Sequence, residues 1–177
     1  MDASSTFQDS LPVTSDALIA QLRAAGVPFT CYEHIPLMTV GDAKLVQGPV
    51  VPDAPGHVHI KNFYLRDRRK RNWLVVLEQD RAVDLKALGS AIGAPGLSFG
   101  SPERLLEHLG VRPGAVSPLA MVTGVHRGVR LVMDAALREA VVVHVHPLVN
   151  DRTLGMAPGD LVAVLEGWGA EVDWIAL

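Results

Sequence analysis

The stretch HVHIKNFYLRDRRKRNWLVVL, running from His57 to Leu77, decides the fold. Its two ends, His57 to Leu65 and Asn72 to Leu77, are rich in β-branched and aromatic residues, and a break of five cations and one acid, Arg66 to Arg71, separates them. Two strands joined by a hairpin-length link are expected, with the charged turn in water. Upstream, Ser15 to Ala25 puts Leu18, Ile19 and Leu22 on one helical face ahead of Gly26. Phe29 to Cys31 alternates as a short strand, Thr39 to Val46 reads as a helix, and Gly48, Pro49, Pro52, Pro55 and Gly56 mark a loop. Downstream, helices are expected at Asp84 to Ile92, at Ser101 to Leu109 and at Pro158 to Trp168. Ser101 caps the second of these, Pro102 opens it and Gly110 stops it. Strands are expected at Val129 to Met133, Ala140 to Val145, Thr153 to Met156 and Glu171 to Ile175. Strands and helices mix without repeating βαβ units, so the class is α/β of the mixed α+β kind, a central mixed sheet with surrounding helices. Residues 1–13 are polar and aperiodic and are expected as a flexible tail, leaving 14–177 as one domain.

A chain of 177 residues that is 49% hydrophobic can bury one sizeable core without disulfides. The single cysteine, Cys31, cannot form an internal bridge, which points to a reducing compartment, the cytoplasm. No long apolar run argues for a membrane span, and MDASSTFQDS lacks the basic flank and apolar stretch of a secretory signal. The net charge of -3 removes any bulk electrostatic argument for DNA or RNA, so nucleic-acid contact has to be local. Arg66, Arg68, Arg69, Lys70 and Arg71 are the one cationic cluster, read either as a solvated turn or as that local face.

Neither GxGxxG nor GxxxxGK[ST] occurs, which takes away the usual support for dinucleotide or P-loop chemistry. His57 with His59, and His144 with His146, are strand-spaced pairs, but HExxH and CxxC are missing and no metal or other cofactor is expected. Without a GxSxG elbow, Ser117, His146 and Asp151 make a triad only on paper, and the alternating apolar setting of Cys31 favours an inert thiol. Arg112 to Pro118 holds one glycine and two prolines, read as a rigid turn or as a loop that presents fixed N–H donors to an oxyanion. Lys61 interrupts an apolar strand beside Asn62: either it snorkels to water, or it holds a phosphate or ester oxygen.

Together these segments resemble the YbaK and prolyl-tRNA synthetase-associated editing-domain family, and within it the free-standing alanyl-tRNA(Pro) deacylases. The resemblance runs through His34-Ile35-Pro36 and Thr39, Lys61 to Asp67, Leu97 to Ser101, and Leu109-Gly110-Val111. It continues through Gly114-Ala115-Val116-Ser117-Pro118, the family's GxxxP loop, and His146-Pro147-Leu148-Val149-Asn150, its HPxxN segment. It implies a single editing domain with a barrel-like sheet that hydrolyses the ester of mischarged Ala-tRNA(Pro) without a cofactor. On that resemblance Lys61, Asn62, Gly114 and His146 carry the chemistry. His34, Thr39, Ile60, Ala115, Val116, Ser117, Pro118 and Asn150 would bind the aminoacyl end, and Leu119 and Met121 would join Ile60 and Val116 as pocket walls. The Arg66 to Arg71 cluster would contact tRNA, with prolyl-tRNA synthetase and an elongation factor as further partners. Other readings are a deacylase for cysteine, serine or threonine, and a non-catalytic tRNA-binding or synthetase-binding module.

Overall fold

A computed structural model describes residues 2–176. The strands are β1 (Thr30–Glu33), β2 (His57–Arg66), β3 (Asn72–Glu78), β4 (Ser98–Phe99), β5 (Arg130–Asp134), β6 (Val142–Val145), β7 (Arg152–Met156) and β8 (Val172–Ile175). They form one mixed sheet in the order β1-β7-β6-β2-β3-β5-β8, with β4 added to the edge of β2. The β2–β3 hairpin is antiparallel from Ile60 opposite Glu78 to Arg66 opposite Asn72, while β2–β6, β3–β5 and β5–β8 are parallel. The helices are α1 (Ser15–Ala24), α2 (Val40–Val46), α3 (Leu85–Ala91), α4 (Pro102–Leu109), α5 (Met121–Gly124) and α6 (Pro158–Gly167).

The apolar run of β3 has a physical reason, since both faces of the strand are covered. Leu74 and Val76 pack with Leu18 and Leu22 of α1, Leu105 and Leu109 of α4, and Leu161 and Leu165 of α6. Trp73, Val75 and Leu77 point the other way, against Leu65, Leu88 and Val132. A small satellite cluster of Leu37, Val46 and Val51 holds α2 apart from both. Local caps fix the helix starts: the Thr14, Thr39, Asp84 and Ser101 side chains each accept an N–H from the first turn. No helix among the described residues is long and apolar enough to cross a membrane.

Two features differ from expectation. The first is β4, too short at two residues to show any periodicity. The second is the amino-terminal segment, expected as a flexible tail over residues 1–13. Met1 lies outside the described residues, and Ser5–Ser10 forms a 3-10 helix instead. The Ser5 N–H donates to both Asp151 carboxylate oxygens at 2.9 and 3.0 Å, and its hydroxyl donates to Oδ2 at 2.7 Å. The Arg112 guanidinium reaches the Asp2 carbonyl and the Ser10 hydroxyl, and the Asn150 N–H donates to the Ala3 carbonyl at 3.0 Å. Polar side chains and backbone make most of this attachment, with Ala3 in the main core and Leu11 and Val13 packed against it, and these few apolar residues show no periodicity. Replacing Asp151 by alanine removes a charged acceptor from three hydrogen bonds and is expected to cost about 2 kcal/mol in urea denaturation and to open the segment to proteolysis. An unchanged urea midpoint would show that the segment contributes nothing to stability.

Candidate active site

The sheet has a gap, and the candidate site fills it. Along one edge β2 pairs with β6 at His57 to His59 and with β4 at Leu65 and Arg66, so Ile60 to Tyr64 have a partner only on the β3 side. The Gln79 N–H donates to the His59 carbonyl, which sets the alternation: odd-numbered residues of β2 bond β3, and even-numbered ones turn their N–H and C=O toward the gap. The Tyr64 carbonyl there accepts the Gly100 N–H, and the backbone groups of Asn62 face the gap.

Three other segments wall this gap: the 37–40 turn leading into α2, the 114–116 part of the loop before α5, and His146 after β6. They enclose a cavity of about 230 Å³ lined by Met38, Thr39, Ile60, Lys61, Asn62, Phe63, Gly114, Val116 and His146, among others. An inner chamber of about 40 Å³ continues from it past Asn62 and His146 to His59, His144, Gln47 and Gln79.

The Lys61 ammonium lies half-buried on the cavity wall, donates to the Arg81 carbonyl and sits 6.0 Å from the centre of the Phe63 ring. Asn62 donates its side-chain NH₂ to the Val116 carbonyl at 2.9 Å, which ties β2 to the glycine loop, and its Oδ1 is buried without a partner. Gly114 adopts φ +95, and a Cβ there would stand 3.2 Å from the Leu37 carbonyl oxygen and 3.0 Å from the Met38 sulfur. The His146 Nδ1 lies 2.8 Å from the Arg152 carbonyl, and since a carbonyl only accepts, that nitrogen carries the proton. Burial pushes the His146 pKa down, so the ring is neutral and Nε2 keeps a lone pair.

Several expected site residues stand behind the wall instead of on it. Ala115, Ser117 and Pro118 are buried, with the Ser117 hydroxyl accepting the Leu119 N–H as a helix cap. Asn150 is buried and donates to the Leu37 carbonyl at 2.9 Å, bracing the turn that forms the wall. His34 bonds the Thr153 hydroxyl at 2.8 Å, its ring 6.2 Å from that of His146. Leu119 and Met121, expected as pocket walls, lie in the main core at 0% and 1% exposure, because this segment turns inward as short helices. Ser117 and Asp151 bond elsewhere, so the triad on paper does not form. Burial raises the pKa of Cys31, as an inert thiol requires.

Sequence reasoning missed Leu37, Met38, Val40, Ala43, Phe63 and Gln79 as cavity residues, which carry no chemical signature and meet only through the fold. In the basic turn Arg68, Arg69 and Lys70 are exposed. Arg71 is engaged inside the protein: it pairs with buried Asp67 at 2.7 Å, donates to the Gly93 carbonyl and lies 5.1 Å from the Trp73 ring centre. Burial alone would raise the Asp67 pKa, but hydrogen bonds from Arg71 and Trp73 outweigh it and hold the carboxyl low.

Beneath the inner chamber the strand-spaced histidines come together. His144 stacks on His59 with ring centres 4.5 Å apart and faces the His57 Nδ1 across 3.0 Å. Among the described residues, no three His, Cys, Asp or Glu side chains converge as metal ligands would. Burial, then the neighbouring His59 and His57, lower the His144 pKa to about 4, and burial also lowers that of His59. The unfolded chain, titrating near 6.5, therefore takes up the proton first as pH falls. Stability is complete above that value and declines toward pH 4, with His144 alone accounting for roughly 3 kcal/mol. Urea denaturation at pH 7 and 4.5, with His144→Gln in parallel, checks this; equal losses in both proteins would clear His144.

Fold and site together define a single-domain protein with a small cleft at a gap in the sheet, lined by Lys61. A sequence profile of the aminoacyl-tRNA editing domain matches residues 39–164. The chain is 36% identical over 147 residues to prolyl-tRNA synthetase associated domain-containing protein 1 of Danio rerio, covering 82% of this chain and 77% of the relative. It is 33% identical over 154 residues to the prolyl-tRNA editing protein ProX of Acetoanaerobium sticklandii, covering 86% and 91%. A crystal structure assigned as a trans-editing enzyme for prolyl tRNA synthetase shares the fold, with a TM-score of 0.65, 18% identity and coverage of 92% and 97%. The chain belongs to the aminoacyl-tRNA editing domain family.

Proposed function

We propose that the protein is a trans-editing deacylase that hydrolyses mischarged Ala-tRNA(Pro), proofreading for prolyl-tRNA synthetase in the cytoplasm. One observation carries this reading: the adjacent Lys61 and Asn62 meet Gly114 and His146, more than fifty and eighty residues further on, on a single cavity of about 230 Å³ at the sheet gap. In this reading the Lys61 ammonium holds the terminal nucleotide as a point charge with three donors. Neutral His146 turns Nε2 to the cavity and orients water as a hydrogen-bond acceptor. Water adds to the ester carbonyl carbon, N–H groups of the 114–116 loop steady the oxyanion, and the C–O bond to the ribose breaks. The ribose oxygen leaves with a proton, giving free amino acid and intact tRNA.

Such a second site answers a physical limit, because a proline pocket rejects a smaller side chain by only about 1 to 3 kcal/mol. A small cavity does the reverse, admitting alanine and excluding proline by size. A serine or cysteine substrate is the second reading, favoured by the inner chamber, where, among the described residues, the buried Asn62 Oδ1 has no hydrogen-bond partner. Exposed Arg68, Arg69 and Lys70 would take tRNA phosphates. Prolyl-tRNA synthetase and an elongation factor are the proteins that would share this tRNA.

The test is hydrolysis of Ala-, Ser-, Cys- and Pro-tRNA(Pro) by the purified protein with EDTA present. Loss of alanine alone supports the first reading, and loss of serine or cysteine in preference supports the second. No turnover on any of the four would overturn both and leave a tRNA-binding module.

A further inference from the structure

Beyond the cavity mouth, the face of β2 that carries Lys61 continues outward as a row of apolar and aromatic side chains. Lys61 and Phe63 share that face with Leu65, and Leu65 lies opposite Phe99 of β4, which places the Phe99 ring on the same side. Phe63 lines the cavity, and Phe99 meets it edge to face with ring centres 5.3 Å apart while remaining 62% exposed. Phe99 is thus no scattered surface residue: it continues the cavity wall outward from Lys61.

It is also held rigidly. The Gly100 N–H donates to the Tyr64 carbonyl at 3.0 Å, and Gly100 lies so close to the Tyr64 ring that a Cβ there would stand 2.2 Å from Cε1. The Arg68 N–H donates to the Pro95 carbonyl at 2.9 Å, and the Arg68 stem crosses the bare face of Gly96, within 2.9 Å of where a Cβ would be. An exposed aromatic ring is therefore fixed between a cavity and the exposed cations Arg68, Arg69 and Lys70. Flat apolar surface beside positive charge fits one kind of occupant, an unpaired nucleotide with a π-face and a phosphate.

We propose that Phe99 is a stacking platform for the unpaired nucleobase preceding the terminal adenosine of the tRNA, with Arg68 and Arg69 on the adjoining phosphates. This rests on the deacylase reading above and makes Phe99 a positioning residue for it. Stacking on an aromatic ring is sequence-tolerant and adds binding without touching the reacting atoms, so its loss falls on KM and not on kcat.

The probe is tRNA(Pro) carrying 2-aminopurine in place of the base next to the terminal adenosine, whose fluorescence is quenched by stacking. Wild type, Phe99→Trp, Phe99→Leu and Phe99→Ala are compared, with deacylation of Ala-tRNA(Pro) measured in parallel. Phe99 is exposed, so all four are expected to melt alike. Wild type and F99W should quench the probe. F99A and F99L should bind about tenfold more weakly, leave it bright at saturation and raise KM with kcat nearly unchanged. Deacylation by wild type together with equal quenching in all four overturns the platform and keeps the deacylase. Phe99-dependent quenching in a wild type that deacylates nothing overturns the deacylase and keeps the platform. A wild type that does not bind the probe overturns the platform.

Discussion

Replacing Lys61 by alanine is expected to lower kcat/KM for aminoacyl-tRNA hydrolysis by about 10² to 10³, the usual loss when one preorganised charge is removed from a site. Among the described residues the ammonium is the one cation on the cavity wall, and it is held there by its hydrogen bond to the Arg81 carbonyl. Because Lys61 is half-buried at the sheet edge, the substitution should change stability by less than about 1 kcal/mol, so lost activity will not reflect lost fold. Lys61→Arg keeps the charge but not its compact shape and should recover only part of the rate. If the lysine holds the nucleotide, the pH profile of the residual activity keeps its form. If it moves protons, the profile changes shape. Near-normal kcat/KM in the alanine variant would remove Lys61 from the mechanism.

The second large effect is expected at Gly114. A side chain at φ +95 is strained wherever it stands, and here its Cβ would also press on the Leu37 carbonyl oxygen, the Met38 sulfur and the Asn150 side chain, all within 3.2 Å. Gly114→Ala should cost about 1 to 3 kcal/mol in urea denaturation. Relief of the clash has to move the 37–38 turn or the 114–116 loop, and both are cavity walls. A displacement near 1 Å of groups that orient a substrate is enough for a hundredfold loss of rate. Both losses are expected together, the second persisting under conditions where the variant is fully folded. Full activity in a folded G114A protein would mean that the loop does not position the ester.

Much of the fold is legible because burial leaves a pattern. Trp73 to Leu77 reads as a strand since both of its faces are covered, and Ser101-Pro102 to Gly110 reads as a helix since its caps are written in the residues that bound it. The candidate site is legible only in part, at residues whose chemistry is conspicuous in their setting: a lysine in an apolar strand, a glycine between prolines, a histidine beside another. The rest depends on contacts that no local pattern encodes. Leu119 and Met121 look like pocket residues because they follow the glycine loop, yet the chain turns them into the core. Arg71 looks like its cationic neighbours, but Asp67, the one acid in the cluster, claims it. Asn150 is noticed for its amide, and that amide braces a distant turn. Phe99 lies in the Leu97 to Ser101 segment of the resemblance, but its two-residue strand carries no periodicity, and Gly100 lies directly against the Tyr64 ring.

The attachment of Ser5 to Asp151 has a consequence for how the protein is made. Residues 2–5 find their anchor only when Asn150 and Asp151 have been synthesised, and the Asp16 to Arg152 ion pair at 2.5 Å waits for the same stretch. Contacts between such distant parts of a chain form late, because closing the long loop costs entropy before any contact repays it. Translation must therefore pass residue 150 before the cavity wall at 37–40 gains its brace from Asn150. A nascent chain released before residue 150 would carry Lys61 and Gly114 but have no braced site, so activity should arise only once the 150–152 stretch has been made and not gradually before it.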